Sequence, residues 1–280
     1  MTIAVTAVTG QLGGAIARNL VAQGESVVGL ARSPGKVDIP GVEARLGDYG
    51  DEAALTASLQ GVDALLMISL NGDPAPRVEL HRNVIRAAKA AGVSRLVYTS
   101  VQGAEEGTTF SPVIQSNRQT EADIRDSGLD YVIGRNGIYI EPDVEYIETY
   151  KAEGGITNSA GDAKCGYTSR AELAHAYAAM LKGDQHLGQT YLLHGTPMTQ
   201  AELAAYLSTA FDTELAYHPM SVEDYRADRQ AALGEMMGTI IAGIYEGIGT
   251  GVFDVPSDFE TAAGRPHQSW EAYFSSLKTA

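Results

Sequence analysis

Apolar residues in the first half of the chain fall into short β-branched runs separated by stretches of helical spacing. The runs are Ile3 to Val5, Val27 to Ala31, Val42 to Leu46, Ala64 to Ile68, Leu96 to Thr99 and Tyr131 to Gly134, each of strand length. Between them apolar positions recur three or four residues apart, as in Leu12, Ile16, Leu20 and Val21, or Val84, Ile85 and Ala88 before Gly92, the spacing of one helix face ended by a glycine. Strands alternating with helices imply a parallel sheet, because parallel neighbours need a crossover and the crossover is usually helical. The fold class is therefore α/β, a doubly wound parallel sheet. Ligands of such sheets sit outside the carboxyl ends of the strands, so the residues just after each run are the ones to inspect.

The second half is less regular, interrupted by Pro142, Gly154-Gly155, Gly161 and Pro197. Arg170 to Leu181 and Thr190 to Leu193 read as one more helix and strand of the main sheet. The chain divides accordingly into a core over 1–137, to which 165–195 returns, and a smaller substrate-covering region made of 138–164 and 196–280. Met236 to Phe253 is apolar and glycine-rich, which fits either a packed helix followed by a loop or a mobile cover over a pocket.

Composition narrows the partners. Of 280 residues, 20 are basic and 35 acidic, a net charge of −15. Such a surface repels phosphate backbones and anionic membranes, so nucleic acid is excluded as an expected partner. Cys165 is the single cysteine; it cannot close an internal disulfide, and no Cys/His cluster has metal-ligand spacing. The six histidines are scattered and read as surface or packing residues. With no apolar run near the roughly 20 residues of a membrane span and no cationic leader, the expectation is a soluble, cytoplasmic protein; a homodimer is compatible with it.

The strongest local signal is Val5-Thr6-Ala7-Val8-Thr9-Gly10-Gln11-Leu12-Gly13-Gly14 between the first strand and first helix. A glycine turn there lets the backbone approach a pyrophosphate, held by free N–H groups at the helix N-terminus. Ala7 stands where a dinucleotide turn normally has its first glycine. Since alanine resists positive φ, either the turn is relaxed or cofactor affinity is reduced. A tight turn without ligand is the plain alternative. The second strand ends in Ala31-Arg32-Ser33-Pro34-Gly35-Lys36. An acidic residue there suits the ribose 2′-hydroxyl of NAD and an arginine the 2′-phosphate of NADP, so Arg32 points to NADP(H) unless it is an ordinary solvated arginine.

Thr9-Gly10-Gln11-Leu12-Gly13, Ala31-Arg32-Ser33-Pro34, Gly47-Asp48-Tyr49, Tyr98-Thr99-Ser100, Arg135-Asn136-Gly137 and the late Gly264-Arg265-Pro266 together resemble the NmrA-like branch of atypical short-chain dehydrogenases. The resemblance is to its bacterial NADPH-dependent quinone and triphenylmethane reductases, and implies a Rossmann core. It further implies that Thr9, Gly10, Gln11, Leu12 and Gly13 cradle the pyrophosphate and Arg32 reads the 2′-phosphate. By the same resemblance Asp48 faces the adenine, or is a loop or cap residue near Asp51. Ser69 and Thr99 border the ribose and nicotinamide, and Asn136, Gly137, Ile138 and Tyr139 line the nicotinamide and substrate side. Tyr139 either stacks on a flat ring or packs in the core.

The expected acid is missing. Ordinary members of this superfamily pair a tyrosine with a lysine four residues later, whose charge lowers the phenol pKa. None of the fourteen tyrosines has lysine at that position; Tyr131 has Arg135, but both fall in a strand, where that spacing forms no pair. On the helix where the pair belongs stands Gln115-Ser116-Asn117-Arg118-Gln119-Thr120-Glu121-Ala122. Relatives of the quinone reductase group show histidine where Asn117 stands, which leaves Asn117 as a substrate-binding hydrogen bonder and no catalytic acid. The reading is an NADPH-dependent oxidoreductase that passes hydride to a planar, electron-poor acceptor such as a quinone. The alternative is a non-catalytic NADP(H)-binding redox sensor of the NmrA type.

Overall fold

The computed structural model describes residues 1–278. Its strands are β1 (Thr2–Val5), β2 (Ser26–Ala31), β3 (Val42–Leu46), β4 (Ala64–Ile68), β5 (Arg95–Val101), β6 (Asp130–Asn136), β7 (Ile138–Tyr139), β8 (Gly155–Asn158), β9 (Tyr167–Thr168), β10 (Thr190–Leu193) and β11 (Ala216–Pro219). The helices are α1 (Gln11–Ala22), α2 (Glu52–Ser58), α3 (Pro74–Ala90), α4 (Ser111–Asp126), α5 (Glu141–Glu145), α6 (Ile147–Glu153), α7 (Arg170–Lys182), α8 (Gln200–Ala210), α9 (Val222–Leu233), α10 (Glu235–Gly249), α11 (Phe259–Ala263) and α12 (Trp270–Leu277). Seven strands form one sheet in the order β10-β6-β5-β4-β1-β2-β3, parallel throughout. The strand order reverses at β1 and β4, which opens a crevice at their carboxyl ends.

Strand residues alternate between two cores because successive side chains leave opposite faces. Ile3 and Val5 of β1 join α1 and α7 through Leu12, Ile16, Leu20, Leu173 and Tyr177. Ala4, between them, faces the other layer with Leu55, Val84, Ile85 and Ile124 of α2, α3 and α4. Both faces are covered, so β4 reads as an unbroken apolar run with its first four residues buried, as a central parallel strand should.

A third core gathers Ile140, Ile147, Tyr150, Ile156, Leu203, Leu207, Ile248, Trp270 and Phe274 in the smaller layer. The division by residue number shifts in two places. Cys165 and Tyr167 pack in this third core, while Phe259, Ala262 and Ala263 of α11 pack against the main sheet. Residues 235–249 form a helix held by close approach. A Cβ on Gly238 would lie 2.4 Å from the Gln230 nitrogen, and one on Gly243 2.4 Å from the Phe110 nitrogen, so α10 packs on α9 and on the loop after β5 through its glycines. Among the described residues no helix is long and apolar enough to cross a membrane.

Candidate functional site

The turn between β1 and α1 is tight. Ala7 adopts φ +48°, so the turn keeps its left-handed residue even though that residue has a Cβ, and the relaxed-turn expectation is corrected. Gly10 caps α1 without any side-chain hydrogen bond and donates its N–H to the Ala7 carbonyl at 2.9 Å. A Cβ on Gly13 would stand 2.6 Å from the Ala7 oxygen; this is the position where helix and strand need a glycine. Thr9, Gly10 and Gln11 are exposed. The Leu12 side chain lies in the core, so Leu12 has only its backbone to offer a ligand.

Arg32 and Lys36 follow β2 and are exposed. Among the described residues Arg18 and Arg32 are the arginines with no hydrogen bond or ion pair; the others are engaged. After β3, Gly47 passes so close to β2 that a Cβ would meet Leu30 Cβ at 2.6 Å. Asp48 is exposed, and its Oδ1 accepts from the Gly50 N–H at 2.9 Å, a loop-forming bond, while Asp51 caps α2 through the Ala54 N–H.

Beneath this corner Tyr49 ties three strand ends together. Its hydroxyl lies 2.6 Å from Thr6 Oγ1 and 2.7 Å from the Ile68 carbonyl, and Thr6 Oγ1 accepts from the Ile68 N–H. Thr99 lies inside β5 rather than after it, 1% exposed, with its hydroxyl oxygen accepting from the Ser69 N–H at 2.9 Å. It therefore shapes the loop that carries Ser69. His81 fixes the next residue by accepting from the Leu70 N–H through Nε2, which puts its proton on Nδ1, toward Thr120. Burial, with Arg77 nearby, drops its pKa to about 3, so it is a neutral structural imidazole.

At the end of β6, Asn136 receives the Tyr177 hydroxyl on Oδ1 at 2.6 Å and donates through Nδ2 to Tyr139 Oη at 3.1 Å. A Cβ on Gly137 would lie 2.2 Å from the Gly166 oxygen, so the chain turns here through a close backbone approach into β7. Tyr139 is half-buried, and the Arg170 guanidinium covers one face of its ring at 5.4 Å; a flat ligand has only the other face.

Asn117 requires the largest correction. It is completely buried. Its Oδ1 accepts from Tyr98 Oη at 2.7 Å and from Arg77 at 3.0 Å, while Nδ2 donates to the Val113 carbonyl. Inward packing of α4 on β5 has turned it from a substrate contact into a fastener of the wall. Tyr49, Arg77 and Tyr177 were not among the expected site residues. Arg77 had a signal: with His81, Val84, Ile85 and Ala88 it occupies the inward stripe of α3, where a charged residue interrupts an apolar face. The chain also holds a helical tyrosine with a cation four residues on, Tyr225 and Arg229 of α9. It forms a cation–π contact at 5.5 Å, and burial raises the Tyr225 pKa, the opposite of what an acid pair needs.

A pyrophosphate needs a backbone cradle without side chains and a helix start that still has N–H groups to give, and a 2′-phosphate needs a guanidinium not already spoken for. The corner formed by β1, α1 and the end of β2 meets these needs, and defines a dinucleotide-binding protein of the doubly wound class. The chain belongs to the NAD(P)H-binding family, whose profile matches residues 8–184. It is 34% identical to quinone oxidoreductase 2 of Escherichia coli over 94% of each chain. Two crystal structures superpose closely. NADPH-dependent quinone oxidoreductase from Escherichia coli in complex with NADPH gives a TM-score of 0.89 at 32% identity, over 98% of this chain and 99% of that one. Triphenylmethane reductase of Citrobacter sp. in complex with NADP(H) gives 0.89 at 31% identity, over 99% and 100%.

Proposed function

We propose that this chain is an NADPH-dependent reductase that passes hydride to a planar, electron-poor acceptor of the quinone class without a dedicated proton donor. The observation that carries the reading is α4. The helix that holds the acid pair in ordinary relatives here presents Asn117, fully buried and hydrogen-bonded at both Oδ1 and Nδ2. A simple ketone reduced here has no donor for its alkoxide, whereas a quinone accepts hydride more readily and takes its proton from water.

The bound dinucleotide supplies the hydride. The Gly10–Gly13 turn and the start of α1 hold the pyrophosphate, and Arg32 holds the 2′-phosphate. Asn136 to Tyr139, braced by Tyr177, form the wall along which the acceptor lies, so the chain works chiefly by aligning two rings and excluding water. Anaerobic stopped-flow mixing of the NADPH-loaded protein with a benzoquinone panel should oxidise NADPH well above the uncatalysed rate; rates equal to the blank overturn the reading. Replacing Arg32 with alanine should weaken NADPH by about 1.5–3 kcal/mol relative to NADH, the worth of a charge-assisted contact. Equal loss for both cofactors would make Arg32 structural.

Strain at Ala7 and the lack of a donor on α4 also suit a second reading, a dinucleotide sensor without turnover. Calorimetry separates the two: a sensor binds its ligand and shows no turnover with any acceptor.

A further inference from the structure

Arg77 is buried without a carboxylate. It is 4% exposed, and its guanidinium donates to two neutral oxygens, Ser116 Oγ and Asn117 Oδ1, each at 3.0 Å. Its Nε has no partner. Every charged or titratable neighbour fails to balance it. His81, one turn along α3, is held neutral; Tyr98 of β5 is held protonated by burial and spends its hydroxyl on the same Asn117 oxygen. Arg77 also lies near the start of α3, whose dipole disfavours a cation; the N-cap Asp73 there spends its Oδ1 on the Ala75 N–H. Burial opposes this charge, and among the described residues no carboxylate bonds the guanidinium.

Its place explains why it is tolerated. Arg77 lies in the first turn of α3, which follows β4, and Asn117 in the second turn of α4, which follows β5. Tyr98, midway along β5, pairs with Met67, the penultimate residue of β4, so the cluster lies toward the carboxyl edge of the sheet, on the side of β4, which borders the point where the strand order reverses.

We propose that Arg77 is a positioning and charge-stabilising residue: its buried guanidinium stabilises the negative charge that develops on the acceptor oxygen during reduction, in place of the missing proton donor. The inference rests on the reductase reading. When the hydride bonds to one quinone oxygen, the ring becomes aromatic and the π pair of the opposite carbonyl moves onto its oxygen, giving a hydroquinone monoanion that later takes a proton from water. In a low-dielectric wall an unpaired charge acts on that oxygen without touching it. Arg77 also fixes Asn117, and through it the packing of α4.

The test uses Arg77→Met and Arg77→Lys, with 4-nitrophenol as a probe of the anionic product, titrated by absorbance on the NADP-loaded protein. Wild type is expected to bind the nitrophenolate and lower the probe's pKa by about one unit, a tenfold preference for the anion. The Met variant should lose that shift and lose kcat for benzoquinones by about tenfold or more, with KM for NADPH held within about twofold. The Lys variant should recover part of both. The thermal midpoint of Arg77→Met should stay level or rise, since a buried charge has gone. An unshifted probe in wild type, an unchanged kcat in the Met variant, or loss in both variants that tracks a fall in thermal midpoint overturns the assignment. Should Arg77→Met fail to fold, the Lys variant decides alone. An Arg77-dependent probe shift without quinone turnover refutes the reductase reading and keeps the charge assignment; turnover that ignores Arg77 does the reverse.

Discussion

The main sheet and the smaller layer each bury a carboxylate, and treat it in opposite ways. Glu121 of α4 is completely buried, but Arg118, Arg125 and Arg135 surround it at 2.8, 3.2 and 2.7 Å, and the Ser100 hydroxyl donates at 2.6 Å. The arginine and serine bonds overcome the burial, and its pKa is lowered. Asp143 of α5 is almost as deep, yet its hydrogen bonds come from two tyrosine hydroxyls, Tyr150 at 2.7 Å and Tyr245 at 3.5 Å, both on Oδ1. Burial wins there and raises its pKa to about 6. Depth alone does not set the charge of a buried acid; the partners do. The sheet layer is a closed electrostatic structure at Glu121, whereas the smaller layer holds an acid that ionises at the edge of the physiological range.

The largest effect should come from breaking the closed side. Glu121→Gln leaves Arg125 and Arg135 without their anion and Arg118 with only the exposed Glu105, and should destabilise the fold by about 3–5 kcal/mol at neutral pH, the usual loss when one member of a buried ion cluster goes. Because the folded pKa lies below the unfolded one, Glu121 stabilises the protein above the ordinary glutamate range, and that contribution disappears as pH falls through the folded pKa. Urea unfolding of the variant at pH 7 and at pH 4 checks this: the gap from wild type should narrow in acid. A gap below about 1 kcal/mol at pH 7 would place this cluster with surface pairs.

Asp143→Asn should act with the reverse sign. Its folded pKa is raised, so the penalty for ionising it is absent below the unfolded value of 3.8 and complete above about 6. The shift corresponds to about 3 kcal/mol at most. The groups around it are Tyr150 of α6, Tyr225 of α9, Tyr245 of α10, Cys165, and Tyr167 of β9; Arg229, which neighbours Tyr225, is paired with Asp228. The variant should therefore gain about 2–3 kcal/mol at pH 7 and almost nothing at pH 4. A gain that is the same at both pH values would trace to packing and remove the electrostatic contrast.

This difference also marks where the sequence was readable. The inner sheet was legible because a parallel strand covered on both faces must be an apolar run, as β1, β2 and β4 are; the edge strand β3, Val-Glu-Ala-Arg-Leu and mostly exposed, was legible from its place between helical stretches. Strand ends were less so: β5 continues to Val101, and that extension puts Thr99 inside the strand and its hydroxyl under Ser69. The Gly10–Gly13 turn and Arg32 were legible because each depends on a few adjacent residues. Asp143 was not, because its environment is assembled from Tyr245, 102 residues away. Asn117 was misread for the same reason. A residue on α4 shows its helix face in sequence, but not that Tyr98 and Arg77 arrive from two other elements to bind it.

The smallest effect concerns a left-handed alanine at the cofactor turn; the left-handed non-glycine residue of the smaller layer is Asp212 at φ +47°, a residue type that visits this region more readily. In the smaller layer the left-handed position that ends α6 is a glycine, Gly154 at φ +75°; at the cofactor turn it is Ala7 at +48°. Ala7→Gly removes a left-handed alanine, worth roughly 1–2 kcal/mol, and returns roughly 0.5–1 kcal/mol of unfolded-chain entropy. The net expectation is a gain of about 0.5–1 kcal/mol, read by denaturant unfolding with and without saturating NADP. If the gain is the same in both, the strained turn is the binding-competent one and the alanine costs only stability. If it is larger without the cofactor, binding relaxes Ala7, and the residue that departs from the glycine pattern weakens the empty protein more than the loaded one. A loss of stability in both would mean that the Ala7 methyl packs usefully against its surroundings, and that the left-handed turn carries less strain than its φ implies.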